Sequence, residues 1–510
     1  MLVSLPTAIY SLISTFLSFS SPQYVASNEP TPLTFELRHQ HAVYDDSRIV
    51  FSDYSPQMTM DLAEEAKFTI PSVKKRIPKP QSFSAFQAAR TNRRTSQHAN
   101  DQGVDILEWH DSEMEAPDVT QRDTLLGLAK MAANAYVEDR PSSPTEWYDI
   151  PYENQSVSGN WSSLPHGWGP NEDGLRGHVF ATPDNSTVVI SIKGTSAGWL
   201  VGGGGPTVGK DKRNDNLLFS CCCARVGPTW STVCDCYDGG NRCDSECLEE
   251  ALKDEGLFYP VGLNLYNNVT YMYPNANIWM TGHSLGGGLA SLLGITFGVP
   301  VVAFEAPAEK RAAERLHLPK PPSTHHVTHV YNTADPIPMG ACTGMTSACA
   351  LGGFALETRC HLGQVIKYDT VSKLGWSVDI RNHGIVVVVE KVLSADGIQW
   401  DEETKPAENL SGQDGEGWWF DVMRWGWGRK GDKDKDKDKD GEGDEKKPIQ
   451  GVPRARPALE VEGVDGVCTD CFNWEYGLFK NPPPTKESLL GIPSGNRTKS
   501  RICGGNGLGY

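Results

Sequence analysis

Three residues in this chain have the types and the order that acyl transfer needs: Ser284, Asp335 and His383. A serine hydroxyl is a weak nucleophile until an imidazole takes its proton, and the imidazole works best when a carboxylate fixes its tautomer. Ser284 lies in Gly282-His283-Ser284-Leu285-Gly286, a G-x-S-x-G pentapeptide. In that pattern the glycines let a strained turn hold the serine oxygen up while a strand and a helix pack closely beneath it. Chemistry of this kind needs no cofactor and no metal.

Glycine supplies 51 of the 510 residues, so the pentapeptide alone is weak evidence. A second match, Gly194-Thr195-Ser196-Ala197-Gly198, also follows a β-branched run, Val188 to Ile192. Context separates the two. Ser284 leads into Gly287 to Phe297, small and apolar enough for a helix lying on a sheet, whereas Ser196 runs into Gly202-Gly203-Gly204-Gly205-Pro206. Ser284 is therefore the candidate nucleophile, set against a structural serine in a tight turn.

The elements that would position these groups can be read in order. Gln121 to Glu138 carries Leu125, Leu128, Ala129 and Ala132 at helical spacing and is expected to begin the catalytic domain. Gly177 to Ala181 and Thr187 to Lys193 alternate as paired strands around a turn at Pro183 to Asn185. The second strand ends at Gly194-Thr195-Ser196. An oxyanion needs one N–H from the residue after the nucleophile and one from a loop beside an earlier strand, which points to Leu285 and Thr195. An ordinary strand-end turn is the competing reading of that loop.

Asn277 to Gly282, Val299 to Phe304 and His326 to Tyr331 read as further strands, the second covered on both faces. Asp335 follows the last of them, where an acid that orients a histidine belongs, although Asp-Pro is also a common turn. Two histidines come later. His383 is preferred, on a loop bordered by Ile385 to Glu390, which reads as a strong strand; His361, next to Cys360, is read as structural or close to a bridge. The order Ser, Asp, His is that of α/β-hydrolases, so an α/β fold is expected.

A length of 510 residues with 38% hydrophobic content supports one large domain or two modest ones. A formal net charge of -17 argues against nucleic-acid binding and against electrostatic attraction to anionic lipid. Membrane contact, if made, should be hydrophobic. The chain has thirteen cysteines, seven of them between Cys221 and Cys247, and N-x-[ST] sequons at Asn154, Asn160, Asn185, Asn268, Asn409 and Asn496. Both features indicate the secretory route and disulfides, with zinc at Cys234, Cys236, Cys243 and Cys247 as the competing reading.

Composition divides the chain into an uncharged hydrophobic segment at residues 1–20, an N-terminal extension at 21–100, the catalytic domain at 101–400, a low-complexity linker at 401–460 and a Cys-containing tail at 461–510. The first segment fits a signal-anchor or a cleaved signal, with Tyr24-Val25-Ala26-Ser27 offering small residues to a signal peptidase. Trp199 to Pro260 could form a disulfide-stapled lid or a fixed loop. In the linker, Trp418, Trp419, Phe420, Trp425 and Trp427 suit either a lipid interface or packing over the catalytic domain, and Asp432 to Asp440 alternates Asp and Lys as a solvated run.

Thr281-Gly-His-Ser-Leu-Gly-Gly-Gly-Leu-Ala290, Lys193-Gly-Thr-Ser196, Asn332-Thr-Ala-Asp-Pro-Ile-Pro338 and Arg381-Asn-His-Gly384 together resemble the class 3 lipases. With the Cys-rich insertion and the hydrophobic N-terminus, the chain is similar more narrowly to the fungal autophagy-related lipases that disintegrate autophagic bodies in the vacuole. The resemblance spans roughly residues 100 to 400. It implies an α/β-hydrolase fold, hydrolysis of triacylglycerol and phospholipid at a bilayer, and a type II single-pass protein. Its implied route runs through the ER, the Golgi and the endosomal multivesicular body to the vacuole. Carried over by position, Ser284 is the nucleophile, Asp335 the orienting acid and His383 the base. An acidic lumen would protonate an ordinary histidine, with its pKa of about 6.5, and a nearby carboxylate favours that charged form further. A secreted esterase acting on soluble or cell-wall esters is the alternative, and a glycosylated binding protein on an inactive scaffold is the non-enzyme reading.

Overall fold

The computed structural model describes residues 30–44, 48–53, 68–98, 107–137, 148, 174–196, 207–227, 230–254, 256–395, 397–400 and 451–479. The hydrophobic segment at 1–20, the sequons at Asn154, Asn160, Asn409 and Asn496, the Trp cluster, the Asp/Lys run and Cys503 lie outside these residues. Among the described residues no helix is long and apolar enough to cross a membrane.

The strands, in chain order, are β1 (Thr31–Thr34), β2 (Glu36–Tyr44), β3 (Arg48–Asp53), β4 (Thr69–Pro80), β5 (Trp109–Pro117), β6 (Arg176–Ala181) and β7 (Thr187–Ile192). They continue with β8 (Arg242–Asp244), β9 (Asn277–His283), β10 (Val301–Phe304), β11 (Val327–Asn332), β12 (Gln364–Tyr368), β13 (Arg456–Pro457) and β14 (Glu475–Gly477). The central sheet has the order β13-β12-β11-β10-β9-β7-β6-β2-β3. Its middle five strands, β7 and β9 to β12, are parallel, and every pairing outside them is antiparallel. β1, β4 and β5 form a separate antiparallel sheet.

Parallel strands connected by helices are covered on both faces, which is why β10 is apolar throughout and β7 carries only Thr187 and Ser191 as polar residues, all of them buried, instead of alternating with exposed polar residues. Val188, Ile190, Val301 and Ala303 point into one core with Leu289, Leu292 and Leu293 of the helix Leu285–Phe297. Val189, Val302 and Phe304 point the other way, into a core with Leu125, Leu128 and Ala132 of the helix Arg122–Asn134. The register then decides where chemistry can occur. Phe304 is level with His283 on one side and Val330 on the other, and Ile192 is level with Gly282. The C-terminal ends of β7, β9, β10 and β11 therefore form one rim, the place where open parallel sheets hold their sites.

One expected element is different. Ile385 to Glu390 is not a strand: Ile385–Val387 is α-helical and Val388–Leu393 is a π-helical turn. A short β-branched run has high strand propensity, but periodicity cannot separate it from a buried helix, and tertiary packing wins. Val388, Val389 and Val392 are buried in the core that also holds Leu125 and Leu128.

The cysteine-rich insertion is bridged within itself by Cys222–Cys243, Cys223–Cys234 and Cys236–Cys247. All four sulfurs of the zinc reading are thus in disulfides. Cys342 pairs with Cys349, while Cys221–Cys471 and Cys360–Cys468 join the 451–479 segment to the catalytic domain. β13 also extends the sheet beside β12.

His361 completes this attachment. Its Nδ1 donates to Glu462 Oε1 at 2.6 Å and its Nε2 to the Ala306 carbonyl at 3.0 Å. Burial alone would lower the imidazole pKa, but the Glu462 carboxylate overcomes it and raises His361 to about 9. A histidine whose folded pKa exceeds its unfolded value adds stability that is complete below about pH 6.5 and is lost as pH rises through about 9. We expect melting temperature to fall across that window, by the equivalent of about 3 kcal/mol. His361→Gln should flatten the slope in a pH series of thermal melts.

Candidate active site

The sharp turn at Ser284 is enforced by backbone contacts. Ser284 follows β9 directly and has φ 56° and ψ -130°, a left-handed conformation that a serine adopts only under constraint. A Cβ on Gly282 would lie 2.5 Å from the carbonyl carbon of Gly286, and one on Gly286 would run into the Ile192 carbonyl. Strand, turn and helix close on one another only because both positions lack side chains. Gly286→Ala should therefore destabilise the protein by about 3 kcal/mol, read as a lower melting temperature together with lost activity.

The rim brings three of the predicted residues together. His383 Nε2 lies 2.8 Å from Ser284 Oγ, and His383 Nδ1 lies 2.6 Å from Asp335 Oδ2. Asp335 Oδ1 accepts the Ile337 N–H at 2.9 Å, which fixes its orientation. Asp335 and His383 are inaccessible to solvent, and Ser284 exposes only 6% of its surface. His361 is not part of this group. Two surface cavities of about 400 and 310 Å³ near Arg315 and His317 are lined by none of the three residues.

The two expected oxyanion positions flank the elbow. Leu285 is the first residue of the helix after Ser284, and a Cβ on Gly194 would come 3.0 Å from the Ser284 Cβ, so the loop that carries Thr195 lies against Ser284. That loop is pinned from the helix Val208–Phe219, in the cysteine-rich insertion. Asp215 Oδ2 accepts from the Thr195 hydroxyl at 2.5 Å, and Asp211 Oδ2 accepts from the Ser196 N–H at 2.7 Å and pairs with Lys193 at 3.3 Å. Burial pushes Asp215 up to about 8 and, opposed by Asp211, brings Lys193 down to about 8. Ser196, the decoy serine, is thus a framework residue.

Comparison with known proteins bears on this arrangement. The family described as Lipase (class 3) matches residues 263–343, which contain the elbow and Asp335. The "Putative lipase ATG15" of Cryptococcus neoformans is 47% identical over 392 residues, covering 72% of this chain and 70% of that one. The protein of that name from Mycosarcoma maydis is 46% identical over 388 residues, covering 72% and 69%. The chain belongs to the ATG15 family of class 3 lipases.

Among solved structures, the nonglycosylated Yarrowia lipolytica LIP2 lipase aligns with 48% of this chain and 79% of its own, at 16% identity and a TM-score of 0.26. The fold of this ATG15-family lipase is that of an α/β-hydrolase, as expected, and its disulfides are present.

Several site residues of this lipase were missed in the sequence. His283, inside the pentapeptide, is buried between Tyr136 and His383. A carbonyl oxygen can only accept, so His283 Nε2 donates to the His383 carbonyl at 2.7 Å, and its Nδ1 accepts from the Tyr136 hydroxyl at 2.7 Å. Burial keeps this imidazole well below its ordinary pKa, hence neutral. Asn332, at the end of β11, bonds the Asn382 carbonyl through Nδ2 at 3.1 Å, tying the His383 segment to the acid loop. Polar residues at the ends of central strands were the available signal for both. Of the two described sequons, Asn185 is exposed on the β6–β7 turn and Asn268 is half-buried on the helix Phe258–Met272.

Proposed function

We propose that this lipase cleaves acyl esters of triacylglycerol and of membrane phospholipid, with Ser284 as nucleophile, His383 as general base and Asp335 as the acid that orients it. The observation that carries this reading is the unbroken line Ser284 Oγ, His383 and Asp335, with contacts of 2.8 and 2.6 Å, at the end of a parallel sheet.

His383 Nε2 takes the Ser284 proton as Oγ bonds to the ester carbonyl carbon. The N–H groups of Leu285 and Thr195 receive the oxyanion; the Thr195 hydroxyl is already committed to Asp215. Collapse of the tetrahedral intermediate breaks the ester bond, and the leaving glycerol-side oxygen collects the proton from His383. Water then gives its proton to His383, attacks the acyl-enzyme, and releases the fatty acid and free Ser284. Because Ser284 is nearly closed off, a lipid ester reaches it only after neighbouring residues move aside.

The relatives' name, lipase ATG15, and the resemblance to autophagy-related vacuolar lipases support a role in dissolving autophagic and multivesicular-body membranes in the vacuole. The cysteines, paired in six disulfides among the described residues, support passage through the ER and Golgi. The hydrophobic N-terminus supports a type II anchor, and Asn185 and Asn268 are the described glycosylation candidates.

Fatty-acid release by the purified protein from neutral phospholipid vesicles, from triacylglycerol emulsion and from a water-soluble short-chain ester tests the substrate class. Release from intact vesicles and emulsion is expected. Turnover of the soluble ester alone would replace this reading with that of a secreted esterase.

A further inference from the structure

Behind the proposed triad lies a second buried acid that the mechanism does not use. Glu305 is the first residue after β10, is 1% exposed, and has φ 45°, a left-handed conformation that a glutamate keeps only when its surroundings impose it. Asn332 holds the carboxyl: Glu305 Oε1 accepts the Asn332 N–H at 3.0 Å and the Asn332 Nδ2–H at 2.8 Å. Asn332 also ties this carboxyl to the acid loop, its own carbonyl accepting the Asp335 N–H at 3.2 Å, and the buried Asp335 carboxyl acts directly on that of Glu305. Among the described residues, neither Lys nor Arg forms an ion pair with either acid.

Two buried carboxylates in contact without a cation cannot both remain ionised, so one keeps a proton. The surroundings decide which. Asp335 receives the His383 Nδ1–H at 2.6 Å and the Ile337 N–H at 2.9 Å, a donor set suited to a carboxylate. The titratable groups that act on Glu305 or are acted on by it are Asp335 and Tyr331 of β11, which donates to Glu462. Neither supplies positive charge. Burial, and then the Asp335 charge, push Glu305 well above the usual carboxylate range.

We propose that Glu305 is a protonated positioning residue that donates a hydrogen bond to the Asp335 carboxylate, extending the line from Ser284 through His383 by one further acid. The proposal rests on the triad reading above. The bond gives the Asp335 side chain a further anchor besides His383 and the Ile337 N–H. It also draws negative charge away from Asp335, so the carboxylate favours the imidazolium less than a bare one would. The base then stays neutral, and able to take the serine proton, at lower pH. This offsets the penalty that an acidic lumen would otherwise impose on a histidine mechanism.

Three measurements on the full chain test it. Glu305→Gln keeps the shape, the acceptor for Asn332 and a donor toward Asp335; kcat/KM should stay within about threefold and its acid limb should not move. Glu305→Leu removes the donor; the acid limb should rise by about half a unit to one unit and kcat should drop about tenfold. A wild-type minus Glu305→Gln infrared difference spectrum at neutral pH should show a protonated-carboxyl stretch, whether or not the leucine variant folds.

A downward shift of the acid limb by about one unit in Glu305→Gln, or no such band, would mean that Glu305 is ionised and the proposal is wrong. The infrared band does not depend on turnover. Should Ser284→Ala retain hydrolysis, the triad reading fails while the band still reports on the Glu305 proton.

Discussion

Ser284→Ala should lower kcat for fatty-acid release by roughly 10⁶-fold while leaving the melting temperature nearly unchanged. The size follows from the chemistry: without Oγ no acyl-enzyme forms, and only the positioned donors and the bound water remain to act on the ester. The stability expectation follows from the elbow. Ser284 already occupies a left-handed turn held by its glycine neighbours, and alanine tolerates that conformation about as poorly as serine does. Single-turnover acyl release measured beside thermal melts separates the two effects. A variant that keeps more than about one hundredth of the activity would show that Ser284 is not the nucleophile.

Asp335→Asn should cost on the order of 10⁴-fold in kcat, with little change in KM. The reason lies in the tautomer of His383. Asp335 accepts from Nδ1–H at 2.6 Å, which leaves Nε2 unprotonated and aimed at Ser284 Oγ at 2.8 Å. An amide can present either its oxygen or its NH₂ to the ring. With a neutral Glu305 as a further donor, the amide oxygen is drawn toward Glu305 and the NH₂ toward His383. The histidine must then carry its proton on Nε2, where it cannot take the serine's. Steady-state kinetics with triacylglycerol emulsion would register this as a kcat effect, and equal losses in kcat and binding would argue against it.

The elbow was legible because its signal is local: two glycines, a serine and an apolar helix, all between Gly282 and Phe297. The β6–β7 hairpin and the buried β10 were legible for the same reason, from alternation and from an unbroken apolar run. Asp335 and His383 were legible through chain order, since each follows a feature that had been placed, even though the run after His383 was assigned the wrong structure. What stayed hidden was long-range. Cys221 pairs across 250 residues, and spacing carries no record of that closure. β2 and β3 join the central sheet at its far edge, and only the β2–β6 register shows it. Glu305 read as the polar end of a strand. Its task depends on Asn332 and Asp335, which reach it from another strand.

The bridges from the 451–479 segment have a consequence for how the polypeptide responds to a peptidase. Cys221–Cys471 and Cys360–Cys468 both span residues 401–450, so a cut anywhere in that interval would not release the C-terminal piece. It would turn one polypeptide into two that stay covalently joined. On a gel, such material would migrate as a single species until reductant is added and as two afterwards. The clipped enzyme would keep β13 on its sheet and Glu462 on His361. Nicking and loss of the tail are thus separate events in this molecule, and only thiol reduction converts the first into the second.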